Sequence, residues 1–334
     1  MLEVGKLPVD LLRSLLERFG GRHERLVVGP RVGEDAAVLD MGDRYLVLKS
    51  DPITFATEEI GRYVVHINAN DIATMGATPR WLLVTLLLPE RGTTPALVEG
   101  IFAQIAETCA ALGIVPCGGH TEITHGLDRP IAVGLLVGEV ERENLVRTAG
   151  ARAGDAVLLT KGIAIEGTAV LAREMEERLA EQVDGETLAR SRRFLHEPGI
   201  SVVRDAAVIC SVARPHAMHD PTEGGLATGL WELAEASGQG IVVDAEAIPI
   251  LPETEAVCRA LGLDPLGLLA SGALLATAAP DDARRMVAAL DGAGIAARII
   301  GRVVEGPPRV SLRTAQGLVP FPAFARDELA RLFG

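Results

Sequence analysis

Several things are scarce in this 334-residue chain, and each scarcity excludes something. Two Trp, two Tyr and seven Phe are too few aromatic platforms for a surface built to stack bases. The 32 Lys and Arg are outweighed by 45 Asp and Glu, giving a net charge of −13, and the excess is shared by both halves. The basic field that a phosphate backbone requires is missing, so no nucleic-acid partner is expected. The four cysteines, Cys109, Cys117, Cys210 and Cys258, form no Cys-x-x-Cys pair; three of them sit in apolar helical patterns, for which buried reduced thiols are the expected reading. The longest apolar run, Trp81 to Leu88, stops at Pro89, far short of the ~20 residues a membrane span needs. The opening Met1–Lys6 has no basic segment leading into an apolar one, so no secretory leader is expected. A cytoplasmic protein that does not engage a membrane is the expectation.

What is present is core-forming material. The chain is 48% hydrophobic and 23% charged, and its length is about twice that of a typical domain, which predicts two domains. The polar, Gly/Ala-rich stretch 141–155 predicts the boundary, with domains at 1–150 and 151–334. Periodicity predicts helices at 9–19, 58–75 and 95–113 and strands at 36–39, 45–49, 81–88, 115–117 and 131–140. The second half reads as strand 156–160, a glycine loop, and helices near 167–180, 186–195, 201–213, 224–236, 252–261 and 281–290. Strands at 217–219, 241–244, 273–278 and 296–304 complete it. Helices, strands and hairpins mix, so an α+β class is expected, with no internal repeat.

Four acidic motifs interrupt this apolar background. Gly33-Glu34-Asp35-Ala36-Ala37-Val38 opens a strand, and Lys49-Ser50-Asp51-Pro52 is expected to end the next, because proline cannot continue the ladder. Asn68-Ala69-Asn70-Asp71 falls near the end of a helix, and His219-Asp220-Pro221-Thr222-Glu223-Gly224-Gly225 at a strand-to-helix junction. Singly, each Asp reads as a turn former or a cap. Together, carboxylates at neighbouring strand ends repel unless a divalent cation intervenes, and Mg²⁺ takes such oxygens along with nucleotide phosphates.

Glycine segments at Gly118-Gly119, Lys161-Gly162 and Gly224-Gly225 are expected to precede strands or helix N-termini, where free N–H groups hold phosphate oxygens. The pairs His120/His125 and His216/His219 lack zinc spacing and read as ordinary hydrogen-bonded histidines. No Gly-x-Ser-x-Gly elbow or activated cysteine supports covalent catalysis.

Read in order, GEDAAV (33–38), KSDP (49–52), NANDIATMGATP (68–79), GGHTEIT (118–124), TKGIAIEGTA (160–169) and HDPTEGGLA (219–227) resemble the aminoimidazole ribonucleotide synthase-related (PurM-like) superfamily. The match covers nearly the whole chain, and its order and spacing are specific. Among the branches, which include thiamine-monophosphate kinase and selenophosphate synthetase, the wording is most similar to hydrogenase expression/formation protein HypE and HypE-like proteins. The resemblance implies a two-domain fold. Its N-terminal ATP- and Mg-binding domain pairs with its copy, forming a β-barrel across a homodimer, and its C-terminal domain is an α+β sandwich. ATP is implied between the domains, bridged through Mg²⁺ to aspartates. Carried over motif by motif, Asp35, Asp51, Asp71 and Asp220 are the implied metal ligands, with Asp71 and Asp220 also catalytic. Asn70, Gly118, Gly119, Thr121, Lys161, Gly162, Gly224 and Gly225 are the implied nucleotide contacts.

The implied chemistry is phosphoryl transfer from ATP to a carbonyl, amide or phosphate oxygen, in hydrogenase or metallocofactor maturation. HypE dehydrates a thiocarboxamide on its own C-terminal cysteine. This chain ends Arg331-Leu332-Phe333-Gly334 and its last cysteine is Cys258, so that reaction is not expected on its own tail, and the acceptor is a small molecule or another protein's tail. His120 replaces the Asp of the GGDT motif, as in selenophosphate synthetases, whose N-terminal reactive Cys is missing because no Cys precedes Cys109. A non-catalytic nucleotide-binding maturation partner and a small-molecule kinase are the alternatives.

Overall fold

The computed structural model describes residues 7–54 and 58–333. The opening segment Met1–Lys6 read for a leader, and the terminal Gly334, lie outside the described residues. The chain divides into two compact units. One holds residues 21–29 and 35–145; the other holds 1–20, 30–34 and 146–334.

The first unit is a six-stranded sheet covered by two helices. Its strands are β1 (Leu26–Val28), β2 (Ala37–Asp40), β3 (Tyr45–Ile53), β4 (Thr78–Pro89), β5 (Val115–Thr124) and β6 (Ile131–Val140), in the order β1-β2-β3-β6-β4-β5. All neighbours are antiparallel except β4 and β5. The parallel pair needs a crossover, which α3 (Pro95–Leu112) supplies, while α2 (Ile60–Thr74) joins β3 to β4. α2 is buried along almost its whole length, as expected for a helix enclosed on more than one side. Its close seat on the sheet depends on two glycines of β6. A Cβ at Gly134 would lie 2.4 Å from Asn68 Nδ2, and one at Gly138 2.3 Å from Ile72 Cγ2.

Three expectations change in this unit. β3 does not stop at Lys49 but runs through Pro52 to Ile53, paired to β6 throughout. β2 leaves β3 at Leu48, so beyond it one side of β3 has no strand neighbour, and proline is tolerated there. β5 likewise extends to Thr124, so Gly118 and Gly119 are strand residues rather than a loop. Gly119 has φ +144, and a Cβ there would lie 1.9 Å from the Val84 carbonyl oxygen. Finally, α3 is long and apolar enough by composition to cross a membrane, which the Trp81–Leu88 run did not reveal. It carries Glu99 and Glu107 and buries Ile101, Ile105 and Cys109 within this unit.

The second unit starts with α1 (Val9–Phe19) and resumes with β7 (Ala156–Thr160), α4 (Ile165–Glu174), α5 (Glu176–Leu179), α6 (Gly185–Arg192), α7 (Val203–Val212) and β8 (Ala217–His219). It continues through α8 (Gly225–Ser237), β9 (Gly240–Asp244), α9 (Pro252–Leu261), β10 (Leu275–Ala278) and α10 (Pro280–Gly292). β11 (Ala297–Val304), β12 (Val310–Thr314), β13 (Gly317–Pro320) and α11 (Ala330–Phe333) end it. The strands form one sheet, β13-β12-β9-β11-β7-β10-β8, with only β12 and β9 parallel. β7 is buried on both faces: Val157 and Leu159 pack with Leu226, Leu230 and Leu233 of α8, whereas Thr160 faces Asp205 of α7. Each such fully buried leucine is worth about 1.5–3 kcal/mol over exposure. The β12–β13 hairpin was not anticipated: Val310-Ser311-Leu312-Arg313 does alternate apolar and polar residues, but its partner Gly317–Pro320 is short and shows no such alternation.

Candidate functional site

In the first unit, strand and helix bring two predicted acids together. Lys49 and Asp51 lie two apart on β3, so both side chains leave the same face. The Lys49 ammonium stands 3.3 Å from Asp51 Oδ2 and 3.2 Å from Asp71 Oδ2, the latter reaching in from α2. Asp51 is half-buried and Asp71 buried. Two carboxylates around one ammonium form a compact, net-negative, all-oxygen donor set.

Asn68 builds this arrangement from one turn earlier on α2. Its Oδ1 accepts from the Asp51 backbone N–H at 2.9 Å, and its Nδ2 donates to the Asp51 carbonyl at 3.3 Å and to the Val64 carbonyl at 2.9 Å. The carboxamide thereby satisfies both polar groups of Asp51, an exchange a neighbouring strand would otherwise make. Asn70 is fully buried on the same helix. Asp35, buried, comes just before β2, whose register with β3 puts it at the same sheet end as Asp51. Thr121 is on β5 opposite Leu86, and His120 opposite Thr85, so their side chains leave opposite faces. His120 Nε2 lies 3.2 Å from Glu122, and His125 Nδ1 2.9 Å from Glu90.

In the second unit the predicted residues meet internal partners. The Lys161 ammonium is turned inward, donating to the Ser201 carbonyl at 2.6 Å beside Asp205 at 3.3 Å, and burial pushes its pKa down. Gly162 sits between two non-glycine residues of positive φ, Lys161 and Ala164. Gly224, at φ +79, caps α8, yet its N–H donates to Asp327 Oδ2 at 2.6 Å, and the Gly225 N–H donates to the Thr222 carbonyl. The N–H groups of Gly224 and Gly225 are thus engaged, and a carboxylate of the chain stands at this helix terminus, where an anion was expected. Asp220 is buried at the end of β8. His216 pairs with Asp155 at 2.8 Å, and His219 with Glu232 at 3.0 Å. Glu34 is held by Arg147 at 2.6 Å.

A family model described as AIR synthase related protein, N-terminal domain, matches residues 33–140, and its C-terminal counterpart matches residues 152–312. The chain belongs to the AIR synthase related family. Within that family it is 35% identical to a protein named carbamoyl dehydratase HypE from Cupriavidus necator, over 86% of this chain and 82% of that one. It is 32% identical to carbamoyl dehydratase HypE from Rhizobium leguminosarum bv. viciae, over 82% and 78%. A solved structure, hydrogenase maturation protein HypE in complex with ATP, superposes with a TM-score of 0.73 at 25% identity, covering 98% of this chain and 97% of that one. The PurM-like fold and the resemblance to HypE are therefore findings.

Sequence reading named this family's acids but missed the groups that organise them. Lys49 was inside a recognised motif, and its position two before Asp51 was the available signal. Asn68 read only as a polar helix residue. Glu166 was overlooked because α4 was expected to begin after it, whereas the helix starts at Ile165.

Proposed function

We propose that this chain is an ATP-dependent enzyme of the HypE-like type, transferring the γ-phosphoryl group to a carbonyl, amide or phosphate oxygen. The observation that carries the reading is the Lys49 bridge between Asp51 and Asp71, in a chain whose 25%-identical relative is described in complex with ATP. The all-oxygen donors suit Mg²⁺, and Asp51 and Asp71 would hold it, with Asp35 at the same sheet end. When bound, the ion neutralises charge on the nucleotide phosphates.

The chain's own groups bind and position. Asn68 fixes the Asp51 backbone, and Lys49 supplies a positive charge beside the phosphates. Asn70, Gly118, Gly119 and Thr121 are the proposed nucleotide contacts of the first unit, and Asp220 is the candidate acid of the second. The acceptor oxygen attacks the γ-phosphorus and ADP leaves. With a primary amide acceptor, loss of both N–H protons and of the phosphate that carries the former amide oxygen leaves a nitrile and completes a dehydration, the reaction class in the relatives' names. Positioning and charge neutralisation, rather than a covalent enzyme intermediate, supply the acceleration. The relatives' names also favour a role in maturing a hydrogenase or another metalloenzyme.

A homodimer belongs to this reading. β5 is the sheet's outer strand, with one edge unpaired among the described residues, and the face away from α2 exposes Trp81, Leu83 and Leu135. An apolar face beside an open edge favours association with a second copy. Calorimetry with Mg·ATP tests the main reading: binding in the wild type, with strong loss in both Asp51→Asn and Asp71→Asn, is expected. No nucleotide binding by the wild type overturns it. Free phosphate released with acceptor turnover separates dehydration from simple kinase activity.

A further inference from the structure

The ion pair on β3 and α2 is built from parts of unequal mobility. Asp51 has its backbone N–H and carbonyl tied to Asn68. Asp71 lies three residues beyond Asn68 on the same helical face, and its carbonyl accepts from the Thr74 hydroxyl at 2.8 Å. Both carboxylates therefore project from fixed backbone. The Lys49 ammonium that joins them, at 3.3 and 3.2 Å, is carried instead on a long, flexible aliphatic stem.

The pair is also open on one side. The side chains of Lys49 and Asp51 are 21% and 34% exposed, against 7% for Asp71. β2 pairs with β3 only as far as Leu48, so the flanking ladder ends just before the lysine. The ammonium is free to swing toward solvent while the carboxylates stay where they are.

Charge then decides what enters. Two carboxylates and one ammonium leave a single net negative charge. A bare divalent cation approaching those oxygens meets a positive charge already beside both, and repulsion at such range is strong. A nucleotide polyphosphate reverses the balance. Its oxygens attract the ammonium, and the carboxylates left behind then attract the metal that travels with the phosphates.

We propose that Lys49 is a tethered counter-ion that makes metal binding conditional on nucleotide. Its ammonium keeps bare divalent metal off Asp51 and Asp71 and gives way only when phosphates draw it aside. The inference rests on the ATP-dependent reading and deepens it: metal enters as the metal–nucleotide complex, not ahead of it.

The test titrates the full chain with Mn²⁺ alone and with Mn²⁺ complexed to the non-hydrolysable analogue AMPPCP, following bound metal by electron paramagnetic resonance. The wild type is expected to bind the complex well and the bare ion poorly. Lys49→Met is expected to bind bare Mn²⁺ about tenfold more tightly, the scale at which one site commonly couples to another. It should bind the complex less tightly than the wild type. Lys49→Gln, neutral yet still able to donate to a carboxylate, repeats the measurement with less risk to the fold. Adding Asp71→Asn should abolish the gain, which places it at this pair rather than elsewhere on an acidic surface. Lys49→Arg, which keeps the charge, should follow the wild type in both titrations.

A purely structural ion pair would lower both affinities together or move neither. Either result in the neutral variants, or a gain that survives Asp71→Asn, overturns the proposal. Bare Mn²⁺ bound by the wild type as tightly as the complex also overturns it. Complex binding with unchanged bare-metal affinity in the neutral variants sinks the counter-ion role alone. No binding of the complex by the wild type sinks the ATP-dependent reading beneath it.

Discussion

Asn68 holds Asp51 by its backbone, accepting from its N–H at 2.9 Å and donating to its carbonyl at 3.3 Å. The position of a candidate metal ligand on β3 is thus set by a carboxamide on α2, and the carboxamide fits because Gly134 lies beneath it.

Asn68→Ala strands both polar groups of Asp51. A loss of about 2–4 kcal/mol in stability is expected from two unmade hydrogen bonds in a largely buried setting, measured by urea denaturation. Mg·ATP affinity should fall with it. Gly134→Ala, which places a methyl on Asn68, should cost about 1–3 kcal/mol. Full stability in both variants would contradict the arrangement.

Lys49→Met removes the ammonium between Asp51 and Asp71. Breaking a largely buried pair costs roughly 3–5 kcal/mol. The two carboxylates then face each other directly, so millimolar Mg²⁺ should raise the melting temperature of the variant more than that of the wild type. An identical Mg²⁺ response in both proteins would remove Asp51 and Asp71 as ligands.

Glu166 titrates at about 8, raised from 4.5 chiefly by burial and further by its acidic neighbours. The native state therefore holds this proton where the unfolded chain has released it. Stability is fully present below about pH 4.5 and declines as pH rises to about 8, by an order of a few kcal/mol. Glu166→Gln should lose this slope and exceed the wild type in stability at pH 8, with the gap narrowing toward pH 5. Asp327, raised to about 6 by burial, contributes a smaller decline of the same sign at lower pH. Parallel pH profiles for the variant and the wild type would refute the assignment.

Leu83→Asp puts a charge into the exposed apolar face of the first unit's sheet. If that face closes on a second copy, light scattering should show a dimer for the wild type and a monomer for the variant. Unchanged mass would place the dimer contact elsewhere.

Lys161→Met should cost roughly 3–5 kcal/mol by stranding Asp205 beneath it, while leaving Mg·ATP affinity intact. Its ammonium is spent on Ser201 and Asp205. A selective loss of nucleotide binding with normal stability would restore it as a ligand.

Much of this was legible from local pattern. α2, α8 and α9 fall within two or three residues of where apolar periodicity puts them, and Asp51 and Asp71 meet as their motifs imply. The misreadings share a cause. Proline at 52 and paired glycines at 118–119 normally punctuate chains, but a missing strand neighbour beyond Leu48 and the close approach of β5 to Val84 reverse their meaning. Glu166 was missed for a related reason: an acid inside an apolar helix start shows its peculiarity only when its neighbours are known.

The linear chain determined the family, the α+β class and the types of group available for chemistry, because periodicity and motif order are local properties. Tertiary structure alone decided which acid meets a cation and which lies buried among other acids. Asp71 found Lys49 across a strand–helix contact, whereas Glu166 found Glu223 and Asp327, more than 50 and 160 positions downstream. Electrostatic energy depends on distance and burial, and neither is written in separation along the chain.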